Sequence, residues 1–199
     1  MADTRELSMM PFALSAPQNA AGGGVSAETS HPDVSQLAHT LLTKELAAGT
    51  APYLVLSCAA GRERSACERA LATGLATEAF SPLRVTLFRE GGIWVARTAA
   101  LWPGYVLSAP AHPRAAEKLG AIGSLTPLES ALVRRLGGSS HVIQISQGRI
   151  EDGRLRVLFG PLMGLEPLVR RIDRHRRMAW LEAEPGRSVS VGLEVTSKT

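Results

Sequence analysis

Lysine is almost absent from this chain: Lys44, Lys118 and Lys198 are three of its 22 basic residues, the others being arginine. With so much alanine and glycine, that bias matches a GC-rich coding sequence, so arginine clustering carries more information than arginine count. Cysteine is nearly as rare. Cys58 and Cys67 have the spacing of neither a zinc knuckle nor a Cys-x-x-Cys redox pair, so both read as core thiols and no disulfide framework is expected. No apolar run approaches the roughly 18 residues a membrane helix needs. A signal-peptide layout is also missing, since Asp3, Arg5 and Glu6 precede only a broken apolar stretch from Met9 to Leu14. Cytoplasm is the expected compartment. The histidines at 31, 39, 112, 141 and 175 lack ligand spacing, and no Gly-x-Ser-x-Gly, Walker or Gly-x-Gly-x-x-Gly motif occurs. Neither a metal, nor a cofactor, nor catalysis is therefore expected.

What remains is ordinary folding material. The 199 residues suffice for one domain or two small ones, with 45% hydrophobic and 20% charged residues and a net charge of +4. Residues 1–50 read as a mostly disordered extension, rich in Ala, Gly and Ser and carrying Gly22-Gly23-Gly24. Within it a short helix is expected over 33–48, with Val34, Leu37, Leu41 and Leu42 on one face behind an Asp33 cap.

A first domain is expected over 51–138. Tyr53 to Cys58 reads as a strand and Gly61 to Leu75 as a helix. Leu83 to Arg89 and Ile93 to Arg97 alternate around Glu90-Gly91-Gly92, a hairpin signal. Leu101 to Ala109 reads as a strand broken by Pro103-Gly104, Arg114 to Leu119 as a helix and Ala121 to Leu125 as a strand. Thr126-Pro127-Leu128-Glu129 is a capping box with proline at the first helical position. The β-α-β-β-α-β order with one further helix is a split βαβ arrangement. Residues 139–147 read as a linker, and 148–199 as a small antiparallel barrel. In that second domain Leu155, Val157 and Phe159 are expected to face inward, as are Val189, Val191, Leu193 and Val195. Ala179, Leu181 and Ala183 form an apolar row that puts Trp180 on the opposite side of its strand.

The most polar feature lies in this second domain. Arg170, Arg171, Arg174, His175, Arg176 and Arg177 crowd into eight residues opposed only by Asp173, which reads as the residue fixing the turn through its own backbone. Like charges this close favour a polyanionic partner, and Trp180 beside them reads either as a cap on the barrel or as a stacking platform.

Two motifs resemble the NusG family of transcription elongation factors. Leu101-Trp102-Pro103-Gly104-Tyr105-Val106-Leu107 is similar to that family's aromatic-Pro-Gly-Tyr strand, and Arg156 to Glu166, followed by Ile172-Asp173, is similar to its KOW signature. Roughly residues 53–199 are covered, and the run Arg171 to Glu182 resembles most the specialised LoaP-type antiterminators. Pro167 stands where KOW domains usually carry glycine, and Ala51-Pro52-Tyr53 replaces the usual Trp-Tyr opening. The resemblance implies an α+β chain: a ferredoxin-like NGN domain, then an SH3-like β-barrel KOW domain. It implies that Tyr53, Phe80, Trp102, Pro103 and Tyr105 contact RNA polymerase at the clamp helices of its largest subunit. It further implies that Arg170, Arg171, Arg174, His175, Arg176, Arg177 and Trp180 bind RNA, such as a leader hairpin, in processive antitermination. A monomer is expected. The other class left open is a KOW-type RNA-binding protein acting in ribosome assembly or translation.

Overall fold

The computed structural model describes the backbone of residues 34–198 and the side chains of 38–197. The disorder expected for 1–30, the Asp33 cap and the inward faces of Val34 and Leu37 lie outside the described residues. The chain is α+β, with antiparallel and mixed sheets. Helix α1 (Val34–Ala47) packs Leu42, Leu46 and Ala47 onto the main core, whereas Leu41, expected on the inward face, is 67% exposed.

Four strands form the first sheet: β1 (Leu54–Ser57), β2 (Ala76–Phe80), β5 (Tyr105–Pro110) and β6 (Gly123–Ser124), in the spatial order β2-β5-β1-β6, all pairs antiparallel. Helix α2 (Glu63–Ala72) connects β1 to β2, and α3 (Ala115–Lys118) connects β5 to β6. The hairpin β3 (Leu83–Glu90) and β4 (Ile93–Ala100) turns on Gly91 and Gly92, both at positive φ. It does not join the first sheet, as the sequence reading has it, but pairs with β7 (Val142–Ile143). The strand that does join is β2, absent from that reading. Its Ala-Thr-Glu-Ala-Phe sequence alternates poorly, and pairing with β5 decides its state. Helix α4 (Pro127–Gly137) begins as expected, with Thr126 Oγ1 accepting from the Glu129 N–H and Glu129 Oε2 accepting from the Thr126 N–H at 2.6 Å. Residues expected to be a linker are built in: a 3-10 turn at Gly138–Ser140 leads into β7, whose Ile143 is fully buried.

The remaining strands are β8 (Ser146–Glu151), β9 (Arg154–Phe159), β10 (Val169–Asp173), β11 (Met178–Glu184) and β12 (Arg187–Lys198). They form one sheet in the order β10-β11-β12-β8-β9, with β8 and β12 parallel and the other neighbours antiparallel. The expected barrel is not closed, because β9 and β10 are opposite edges of an open sheet. A 3-10 turn at Glu166–Leu168 enters between them, where Pro167 has no N–H to donate and the Glu166 carboxylate accepts the Val157 N–H at 3.2 Å. A side chain thus occupies a hydrogen-bonding position that a neighbouring strand would fill. Ala179, Leu181 and Ala183 are buried with Val189, Val191 and Leu193, as alternation requires, and Val195 is half-buried. Phe159 departs from its expected inward face and is 67% exposed, beyond a register shift that leaves Leu158 unmatched between Val157 and Phe159.

The two halves share one apolar core: Leu128, Leu132 and Leu136 of α4 belong to the same cluster as Leu162, Leu165, Leu168 and Leu181. Across that junction Glu129, completely buried, accepts from Arg187 Nη1 at 2.7 Å. Arg84 donates to the Ser190 carbonyl at 2.9 Å, and burial pulls its guanidinium below its ordinary pKa. Gly192 passes so close to β3 that a Cβ would stand 2.8 Å from the Val85 carbonyl oxygen.

Replacing Gly192 with alanine therefore forces backbone apart at the junction. We expect a loss of about 1–3 kcal/mol and a Tm several degrees lower, with faster proteolytic cleavage near the junction. An unchanged Tm contradicts the close approach. Glu129→Gln removes the buried carboxylate that Arg187 Nη1 meets at 2.7 Å, with Glu184 remaining 3.6 Å from Arg187, and is expected to cost about 3 kcal/mol. The double variant Glu129→Leu/Arg187→Met should recover most of that loss in chemical denaturation, and equal losses in both variants would show the pairing to be irrelevant.

Candidate functional site

The arginine-rich turn joins β10 to β11 and is held from inside. Asp173 Oδ1 accepts the Arg176 N–H at 2.9 Å, and that bond holds the Asp173 carboxyl below the usual carboxylate range. This is the turn-fixing role its sequence position indicates. Arg177 closes the turn with φ +52°, and its carbonyl accepts the Leu193 N–H at 2.9 Å. Its side chain points back into the molecule, where the guanidinium pairs with Glu194 and lies 4.1 Å from the centroid of the Trp94 ring.

The other expected RNA-binding residues divide in two. Arg170 lies 3.7 Å from Glu182, and the Arg171 guanidinium stacks over Trp180 at 4.7 Å. The Trp180 ring therefore already carries a cation on one face, which occupies a surface expected to be a base platform. Arg174, His175 and Arg176 project outward and are exposed, with Arg176 3.9 Å from the Asp173 carboxylate. A rigid turn presenting three adjacent basic side chains suits phosphate oxygens better than any buried ligand.

The five residues of the aromatic set are placed unequally. Tyr53, Phe80 and Trp102 are buried, at 1%, 6% and 8% exposure, and belong to the core. Tyr105 is half-buried and Pro103 exposed. Pro103 and Tyr105 belong to a turn that α2 fixes: the Gly104 N–H donates to Glu63 Oε1 at 2.7 Å, which holds the Glu63 carboxyl below its usual pKa. Gly104 has φ +82°, and a Cβ there would lie 3.0 Å from the Cys58 carbonyl oxygen, so glycine is required twice over.

Sequence reasoning passed over a polar network around Tyr53. The Tyr53 hydroxyl donates to Glu78 at 2.9 Å and accepts from Arg134 Nη2 at 2.7 Å, while burial raises its pKa. Phe80 meets Tyr53 edge-on at 5.1 Å and stacks on His141 at 3.7 Å, with the two planes 11° apart. His141 Nε2 lies 3.4 Å from Glu78, yet burial dominates and pushes the imidazole below its ordinary pKa. No spacing in the sequence links these residues, because they come from the residue before β1, from β2, from α4 and from the turn before β7. Trp94 and Arg89, which face each other across the hairpin, were passed over as ordinary strand residues.

Burial raises the pKa of both Cys58 and Cys67, which makes them poor nucleophiles. Among the described residues no group of three His, Cys, Asp or Glu is placed to hold a metal ion. No helix among them is long and apolar enough to cross a membrane. No family model matches the chain, and comparison with the curated proteins returns no match.

A pH dependence follows from His141. Its folded pKa lies below its unfolded value of about 6.5, so above that pH both states are neutral and the group contributes nothing. As pH falls below it, the unfolded chain takes up a proton that the folded one resists, and stability declines. Asparagine tolerates the positive φ of 55° at this position. His141→Asn should therefore flatten the fall in urea midpoint between about pH 7.5 and about pH 5.5. An equally steep fall in the variant assigns the effect to other groups.

Proposed function

We propose that this protein is a NusG-type transcription elongation factor that promotes processive antitermination in the cytoplasm, acting as a monomer. The first half, with β2-β5-β1-β6 flanked by α2 and α3, supports an NGN-like unit, since this strand order is the split ferredoxin-like arrangement. The five strands that follow support a KOW-type unit. The observation that carries the reading is the turn pinned by Asp173, which exposes Arg174, His175 and Arg176 side by side. RNA is the ligand of that turn, gripped through phosphates and guanine edges that a forked guanidinium contacts bidentately. RNA polymerase is the partner of the first unit, at the clamp helices of its largest subunit, with Pro103 and Tyr105 as the accessible members of the contact.

A second reading draws on the burial of Tyr53, Phe80 and Trp102, which narrows the aromatic contact surface. In that reading the protein is a KOW-type RNA-binding protein of ribosome assembly or translation. Co-purification of the tagged full chain separates the two. Recovery of RNA polymerase, lost in a Pro103→Ser/Tyr105→Ser variant, supports the first; recovery of ribosomal subunits supports the second. Trp102 is unsuitable for this experiment, because truncating a buried tryptophan costs about 3–5 kcal/mol of stability. RNA binding by the turn should weaken log-linearly with salt, with a slope of about −0.7 to −0.9 per phosphate contacted. Arg174→Lys should lose more affinity than its retained charge implies. Binding that ignores serine at Arg174 and Arg176 would falsify the RNA reading.

A further inference from the structure

Trp94 is an aromatic residue in an unusual position. It lies on β4, the outer strand of its sheet, and is 37% exposed. Arg89 is its direct partner on β3, so the two side chains share one face of the hairpin, about 5 Å apart at Cβ. From the other half of the molecule the Arg177 guanidinium comes to 4.1 Å from the ring centroid, anchored by its ion pair with Glu194. Arg177 ends the same turn that presents Arg174, His175 and Arg176. The opposite face of the hairpin is different in character: Phe88 and Ile93 are exposed there, and the nearby Arg97 is neutralised by Glu90.

We propose that Trp94, with Arg89, forms a stacking site for an unpaired nucleotide of RNA, continuous with the basic turn and assembled only when the two halves are docked. The inference rests on the RNA reading of that turn. A part-exposed indole with the Arg177 guanidinium on one face, and with Arg89 beside it on the hairpin donating to the Gly92 carbonyl at 3.4 Å, combines what single-stranded nucleic acid requires, a π-surface for the base and cations for the flanking phosphates. Trp94 is supplied by a strand about eighty residues earlier in the chain, brought there by the Gly192–Val85 and Arg84–Ser190 contacts. A bound strand running from the turn across Trp94 would hold the halves together.

The test uses the full chain and two fluorescein-labelled RNAs: a blunt hairpin, and the same hairpin with single-stranded extensions at both ends. The wild type should bind the extended RNA more tightly. Trp94→Phe, which keeps an aromatic face, should stay within about threefold of it. Trp94→Leu, which keeps apolar packing but cannot stack, should lose roughly 5- to 100-fold on the extended RNA and little on the blunt one. In a Trp102→Phe/Trp180→Phe background, emission from Trp94 should be quenched on adding the extended RNA. Leucine binding as well as phenylalanine, or extensions that add nothing to the wild type, overturns the stacking site. If serine at Arg174 and Arg176 weakens binding while Trp94→Leu does not, this inference fails and the RNA reading stands. If the wild type binds neither RNA, both fail.

Discussion

Everything else in the fold is arranged around a carboxylate that water does not reach. Glu129 is completely buried, and a bare carboxylate there would cost several kcal/mol. One oxygen accepts the Thr126 N–H and completes the N-terminal cap of α4; the other accepts from Arg187, at the start of β12. A single side chain therefore terminates a helix in the first half and pins the first residue of a strand in the second. The cap could be built in an isolated domain, with the second oxygen in water. Its burial here requires the other half to be in place.

That requirement draws the two halves together where the sequence has linker composition. Gly137-Gly138-Ser139-Ser140 has linker composition, yet His141, Val142 and Ile143 immediately enter tertiary contacts, with β7 pairing to β3. The core runs continuously across the junction through the leucines of α4 and those between β9 and β10. Helix α1 adds a third tie, resting on α4 while His39 lies 3.2 Å from the Glu182 carbonyl. Gly192 lets two backbones approach where any side chain would hold them apart. The docked arrangement then decides which arginines of the basic turn face solvent. Arg177 is drawn to Glu194 and Trp94, which leaves Arg174, His175 and Arg176 as the exposed side chains of the turn, next to Arg170 and Arg171, exposed on the strand before it.

Short-range signals were legible in the sequence. Two glycines at positive φ make the β3–β4 hairpin, and Thr126 with Glu129 caps α4. Each depends on a few neighbouring residues and on no distant partner. Alternation likewise placed Ala179, Leu181 and Ala183 in the core, since period 2 is a property of the strand itself. Alternation failed at Phe159, where a register shift between β9 and β8, with Leu158 as the unmatched residue, goes with the ring facing outward.

Composition and local pattern thus determined the fold class, most element positions and the site of highest positive charge. Tertiary structure alone decided which sheet the hairpin joins, that Ala76–Phe80 is a strand, and that the second sheet stays open. It also decided that Tyr53, Phe80 and Trp102 belong to the core, while Trp94 reaches the basic turn. The physical reason is common to all of these. Capping, turn formation and alternation are settled by backbone geometry within a few residues. Burial and charge pairing are settled by which distant surface arrives, and a sequence read along one dimension holds no measure of that approach.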